Sequence, residues 1–91
     1  MHALNYIRAM NHAAAEKARP ARIEVCYSDP KNGWYNIVVN AAGDQLGDAS
    51  YHYLQRDCVE HARLMNAGIK VPVHVYNKRG TGYRVIVAEK V

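Results

Sequence analysis

Hydrophobic positions recur with a helical period in the middle of the chain. Between residues 51 and 69, Leu54, Cys58, Ala62 and Met65 follow one another at steps of four, four and three. This spacing places them along one side of a helix. We expect Gly68 to end the helix as a left-handed residue, since Pro72 prevents any continuation. The stretch of residues 51–69 is therefore predicted to contain a helix that covers a sheet.

A second helical pattern occupies residues 3–18. Leu4, Ile7, Met10, Ala14 and Ala18 share one face. The run of alanines at residues 13–15 has high helix propensity, and Pro20 ends the element. We expect this apolar face to pack on the same sheet as the central helix.

The remaining hydrophobic positions alternate with a period of two, which is typical of half-buried strands. Residues 21–27 and 34–41 read as an antiparallel hairpin, because Pro30 and the pair Asn32-Gly33 favour a turn between them. A third, more polar strand is predicted over residues 45–53. Two further strands follow the helix, over residues 71–76 and 83–88, joined by the loop at 77–82.

The order of elements is α-β-β-(β)-α-β-β, which predicts the α+β class. We expect an antiparallel sheet of four or five strands with both helices on one face. The 91 residues match the size of one domain, so residues 1–91 are predicted to form a single domain.

Two helices cover only one face of such a sheet, and the alternation predicts which side chains the other face carries. Several are aromatic or apolar, too many for a face that only meets water. Aromatic and arginine side chains are typical anchors of interfaces. The predicted partner-binding residues are Trp34, Tyr76, Arg84, Arg22, Asn36 and His74, with Lys78 and Arg79 in the adjoining loop.

Net charge and cysteine content indicate which kind of partner and which cellular compartment to expect. Twelve Lys and Arg against eight Asp and Glu give a net charge of +4, which fits an anionic partner or serves solubility alone. Arg56, Arg63, Lys78 and Arg79 are the candidates for nucleic-acid contacts. Two cysteines without a signal peptide or a long apolar run predict a cytoplasmic protein away from membranes.

A metal or thiol site would have to use Cys58 and His61, three residues apart, together with His52. Cys58 lies on the apolar stripe of its helix, and a zinc site needs four converging ligands. Adjacent helical residues point in different directions, so Asp57 and Cys58 do not form a relay. The sequence predicts no metal, no cofactor and no enzymatic activity.

Residues 3–68 resemble a double-stranded-RNA-binding domain in the order helix, three strands, helix, with Pro20 before the first strand. In that family a lysine cluster at the start of the second helix contacts phosphates. The matching stretch here, residues 55–59, keeps Arg56 as its only cation. The resemblance implies the fold and an RNA-binding function.

In size and format the chain is similar to small accessory proteins of bacteriophages, including anti-CRISPR inhibitors. Those proteins dock on a nucleic-acid-handling complex and block it. We therefore expect a non-enzymatic protein that occludes a protein or ribonucleoprotein partner. Direct RNA or DNA binding is the alternative, and a metal or thiol enzyme is the third. Homodimerisation through the uncovered sheet face is compatible with all three.

Overall fold

The computed structural model describes residue 12 and residues 14–86. Helix α1 ends in these residues, with helical backbone at His12 and over residues 14–18. It is followed by β1 (Arg22–Ser28), β2 (Gly33–Val39), β3 (Gln45–His52), α2 (Gln55–Ile69), β4 (Val73–Tyr76) and β5 (Tyr83–Ile86). The α+β class and the third strand are confirmed.

The five strands form one mixed sheet in the order β3-β2-β1-β4-β5. The prediction of an antiparallel sheet is wrong at its centre, where β1 and β4 are parallel, with Ile23 opposite Val73. The other three pairings are antiparallel. Helix α2 causes the parallel pairing, because its 15 residues span roughly 22 Å and return the chain to the end where the strands start.

The register of β1 and β2 decides which side chains face α2. Ile23 lies opposite Val38, Val25 opposite Asn36, and Tyr27 opposite Trp34. Directly opposed residues share a face, so the odd-numbered residues of β1 face the helix together with the even-numbered residues of β2. The prediction that Trp34 and Asn36 of β2 lie on the face away from the helices is therefore wrong. Both faces of β2 carry apolar residues, so their alternation does not show which face is covered.

The core lies between α2 and the central strands. Ile23 and Val25 of β1 and Val73 and Val75 of β4 are buried under α2, which contributes Cys58, Val59 and Ala62. Cys58 and Ala62 are fully buried, and their small side chains let the helix approach the sheet closely. The predicted apolar stripe of α2 is confirmed at these two positions and at the partly buried Met65, whereas Leu54 precedes the helix and is exposed.

The ends of α2 differ from the sequence-based expectation. The helix begins at Gln55, because residues 51 and 52 still belong to β3. It continues through Gly68 and Ile69, and Lys70 is the left-handed residue, with φ of 60°. The Lys70 amide donates to the Asn66 carbonyl at 2.7 Å. Within the described part of the chain, no helix is both long and apolar enough to cross a membrane.

The structure tests the predicted helix at 3–18 and the predicted strand at 83–88 only in the residues that it describes. Leu4, Ile7 and Met10 lie outside the described residues, and so does the placement of most of the first helix. Ala14 and Ala18 are exposed, so the predicted apolar face of α1 is not buried at these positions. The α1 end is attached to the sheet by Asn40, whose amide donates to the Lys17 carbonyl at 3.0 Å. Strand β5 is described as far as Ile86.

Candidate functional site

The sheet face turned away from α2 carries a row of tyrosines. Tyr51 lies opposite Tyr35, and Tyr35 lies opposite Cys26. On the far side of β1, Tyr76 lies opposite Tyr83. The parallel pair Val25 and Val75 is followed by Cys26 and Tyr76, so the row continues across all five strands. We call this surface the outer face; it is formed by Tyr51, Tyr35, Cys26, Tyr76, Tyr83, His74, Glu24, Arg22, Ile37, Val85 and Val39, the last of which lies opposite Arg22 and is buried.

The aromatic rings of the outer face form two groups. Tyr35 and Tyr51 have ring centroids 5.7 Å apart. On the other side of the sheet, Tyr83 contacts Tyr76 at 5.1 Å and stacks on His74 at 4.5 Å, with 9° between the planes. Tyr51 is 51% exposed and Tyr83 is 55% exposed. Large aromatic surface therefore faces solvent at both margins of the face.

The middle of the outer face is electrically neutral. Arg22 Nε donates to Glu24 Oε2 at 2.8 Å, so the two charges compensate one another. Burial raises the pKa of the Cys26 thiol, and a hydrogen bond with Tyr35 opposes that shift. Burial also raises the pKa values of Tyr35 and Tyr76. All three groups thus carry no charge at pH 7.

The structure brings only part of the predicted partner-binding set together. Tyr76, His74 and Arg22 lie on the outer face. Trp34 and Asn36 lie on the helix side, so their predicted placement is wrong. Trp34 packs edge-on against Tyr27 at 5.3 Å and against the core.

Arg84 is also misplaced by the sequence-based prediction. Arg84 pairs with Val75, and Ile86 pairs with Val73, so both belong to the helix side of β5. Tyr83 and Val85 take the outer positions instead. Strand β5 has an apolar residue on each face, Val85 and Ile86, so its alternation does not show which face is covered.

Asn36 is buried between the sheet and α2, where it holds the two together and is not accessible to a partner. It is 1% exposed, and its amide nitrogen lies 3.2 Å from the Cys58 carbonyl oxygen and 3.1 Å from His61 Nδ1. The His61 ring packs at 4.9 Å from the ring of His52, which bonds to Ser50 through Nε2. This polar cluster connects the sheet with α2.

The cysteine and histidines considered for metal or thiol chemistry lie around that cluster. Burial raises the pKa of Cys58 to about 11, so it is a thiol at neutral pH and a weak nucleophile. Among residue 12 and residues 14–86, no group of three His, Cys, Asp or Glu side chains has an arrangement that could hold a metal ion.

The predicted nucleic-acid residues lie away from the outer face. Lys78 and Arg79 are exposed in the turn between β4 and β5, and Lys78 Nζ lies 4.7 Å above the ring of Tyr27. Arg56 and Arg63 are exposed on α2, and Arg56 lies 4.0 Å from Asp57.

Sequence reasoning missed Tyr51, Tyr35 and Tyr83 as candidate site residues. The predicted placement of Trp34 and Arg84 on the uncovered face puts their neighbours Tyr35 and Tyr83 on the helix side, and Tyr51 lies in the predicted third strand, for which no face is predicted. Only the strand register aligns them with Tyr76. Comparison of the chain with protein-family models, curated proteins and solved structures finds no match.

Proposed function

We propose that the protein is a non-enzymatic binding protein that occludes a protein partner with its outer face. The observation that carries this proposal is the row of four tyrosines, interrupted by Cys26 of β1, that crosses the five strands. Tyrosine is enriched among the residues that dominate the energy of protein interfaces, because it buries a large apolar ring and keeps a hydroxyl for hydrogen bonding. A sheet also holds these side chains rigidly, so little conformational entropy is lost on binding.

The charges of the outer face favour a protein partner over nucleic acid on this surface. Its arginine, Arg22, is already paired with Glu24 at 2.8 Å. A phosphate backbone placed here would meet the Glu24 carboxylate and a cation that is already neutralised. Affinity for nucleic acid comes chiefly from cations that neutralise phosphates. Neutral polar and apolar surface on a protein suits this face better.

The function expected from the format of the chain is a phage-type, anti-CRISPR-like inhibitor of a nucleic-acid-handling complex acting in the cytoplasm. A rigid neutral face with aromatic margins supports steric occlusion and needs no catalytic group. Recognition of duplex RNA through α2 has weaker support. Its two cations, Arg56 and Arg63, share the helix with Asp57 and Glu60.

A cleavage assay with a panel of purified RNA-guided nuclease complexes tests the proposal. We expect the wild-type protein to inhibit at least one complex. The double variant Tyr76→Ala, Tyr83→Ala should weaken inhibition by about 100-fold or more, because aromatic anchors of an interface contribute about 2 kcal/mol each and their contributions do not add fully. The matched control is Leu64→Ala on α2, which removes a side chain that is 69% exposed and should inhibit like wild type.

Two outcomes contradict this proposal. One is that no complex is inhibited; the other is that the double variant, shown by circular dichroism to be folded, inhibits as well as wild type. Sedimentation of the free protein separates a dimer interface from a partner interface. Dimerisation that the same double variant abolishes would assign the outer face to self-association.

A further inference from the structure

Three connections between elements lie at one end of the sheet, and the proposed function assigns them no role. Strands β1 and β4 are parallel, and β3 runs in the same direction because two antiparallel steps separate it from β1. Their carboxyl ends therefore meet at the same edge. The turn at residues 29–32, the turn at residues 77–82 and the connection at residues 53–54 all lie there. We call this region the loop end.

The loop end is rich in cations that lack acidic partners. Lys31, Lys78 and Arg79 form no ion pair with the carboxylates that the structure describes. Lys31 Nζ lies 4.0 Å above the ring of Tyr51, and Lys78 Nζ lies 4.7 Å above the ring of Tyr27. The turns contribute one carboxylate, Asp29, so positive charge predominates.

A shallow pocket of about 270 Å³ opens at the loop end beside Lys31, lined by residues 31–34 and 51–53. Its walls include Tyr51, His52, Trp34 and Tyr53, and Tyr53 is 77% exposed. Gly33 lets the start of β2 approach the end of β3, because a Cβ there would lie 3.0 Å from the His52 carbonyl oxygen. The pocket thus combines flat aromatic walls with one lysine at its rim.

We propose that the loop end binds single-stranded nucleic acid, with a base stacked in this pocket and adjacent phosphates on Lys31, Lys78 and Arg79. The volume is slightly below that of pockets that enclose a whole small molecule, which fits one flat group on a longer ligand. Exposed aromatic rings beside cations are the recurring means of binding single strands. Bases within a duplex are stacked and do not reach such a pocket.

The experiment is a titration of Trp34 fluorescence, since Trp34 is the one tryptophan of the chain and lines the pocket. The probes are an oligouridylate and an oligothymidylate of about eight nucleotides, each compared with a duplex of equal length. We expect the single strands to change the fluorescence at low salt. The logarithm of the binding constant should fall against the logarithm of salt concentration with a slope of about −2, since each neutralised phosphate contributes about −0.7.

Single substitutions distinguish binding by base stacking from non-specific electrostatic attraction. Tyr53→Ala should weaken binding about tenfold, in the range measured for loss of one stacking platform. Lys31→Gln should reduce the salt slope by about 0.7. The matched control Tyr83→Ala removes a similarly exposed tyrosine of the outer face and should bind like wild type. That variant also separates this site from the proposed function, because it should impair partner inhibition only.

Three results would overturn the inference. The first is no binding of either single strand at low salt. The second is equal weakening by Tyr53→Ala and Tyr83→Ala, which would show that the pocket is not used. The third is tighter binding of the duplex, or of a polyglutamate peptide, than of both single strands. Repeating the titration with an oligodeoxyuridylate, which differs from the oligouridylate only in the sugar, would identify the natural ligand as RNA or DNA.

Discussion

Asn36 connects the sheet to α2 through a buried amide. Its nitrogen has two hydrogens and lies close to three acceptors: the Cys58 carbonyl oxygen at 3.2 Å, the Cys58 sulfur at 3.5 Å and His61 Nδ1 at 3.1 Å. For Nδ1 to accept, His61 must carry its proton on Nε2. A buried amide with such partners holds the helix in one position, because any slide of α2 would break these bonds.

The Asn36→Ala variant should lower the free energy of unfolding by about 1–3 kcal/mol. The change removes the buried hydrogen bonds and leaves the His61 ring nitrogen without its donor. Urea denaturation followed by circular dichroism measures the difference. The control is Gln45→Ala, an exposed amide of β3 bonded to the Gly47 carbonyl, which should change stability by less than about 0.5 kcal/mol. Equal effects of the two substitutions would show that the Asn36 contacts do not stabilise the fold.

At the scale of the element, α2 ends later than its glycine indicates. Gly68 lies inside the helix, and the left-handed conformation falls on Lys70, with φ of 60° and ψ of 52°. Lysine is unfavourable in that conformation, because its Cβ approaches the following carbonyl oxygen. Asn66 offsets this cost, since its side-chain oxygen accepts from the Val71 amide and its nitrogen donates to the Val71 carbonyl. The helix end is thus determined by a side-chain bond at its last turn.

The Gly68→Ala variant should raise the free energy of unfolding by about 0.5–1 kcal/mol, because alanine loses less entropy than glycine within a helix. The added Cβ would meet nothing within 4 Å. Thermal or urea denaturation measures the gain. Lys70→Gly is the companion variant, and it should also stabilise, by about 1 kcal/mol. A loss of stability in Gly68→Ala would instead place the left-handed residue at position 68.

At the scale of the whole molecule, β1 is the strand on which the sheet is assembled. It pairs with β2 on one side and with β4 on the other, and it contributes the fully buried Ile23 and Val25. The strands at the two edges of the sheet, β3 and β5, pair with a neighbour on one side only and are held less firmly. Strand β3 contains a register shift opposite Asn36 and Val38, and β5 has Tyr83 and Val85 largely exposed. Stability should therefore decrease from the centre of the sheet towards both margins.

Amide hydrogen exchange should follow this order. We expect the amides of β1 to exchange most slowly, near the rate set by global unfolding, and those of β5 to exchange faster. Mass spectrometry or NMR of the native protein measures the rates, and β2, which also pairs on both sides, is the internal reference. Protection of β5 equal to that of β1 would contradict the strand order β3-β2-β1-β4-β5.

Periodicity along the chain is sufficient to predict which elements this protein contains and their order. The period of four, four and three residues marks α2, and alternation marks the strands, because these patterns depend on local backbone geometry. The turn at Pro30 to Gly33 and the stripe containing Cys58 and Ala62 were predicted for the same reason. These features require no knowledge of which strands become neighbours.

The strand order, the sheet faces and therefore the candidate sites depend on contacts between distant parts of the chain. The parallel pairing of β1 and β4 depends on where α2 returns the chain, which is a long-range property. Since β2 has apolar residues on both faces, a shift of one residue exchanges Trp34 for Tyr35 on the outer face. The tyrosine row and the pocket beside Tyr53 both arise from contacts between residues distant in sequence, so periodicity along the chain does not reveal them.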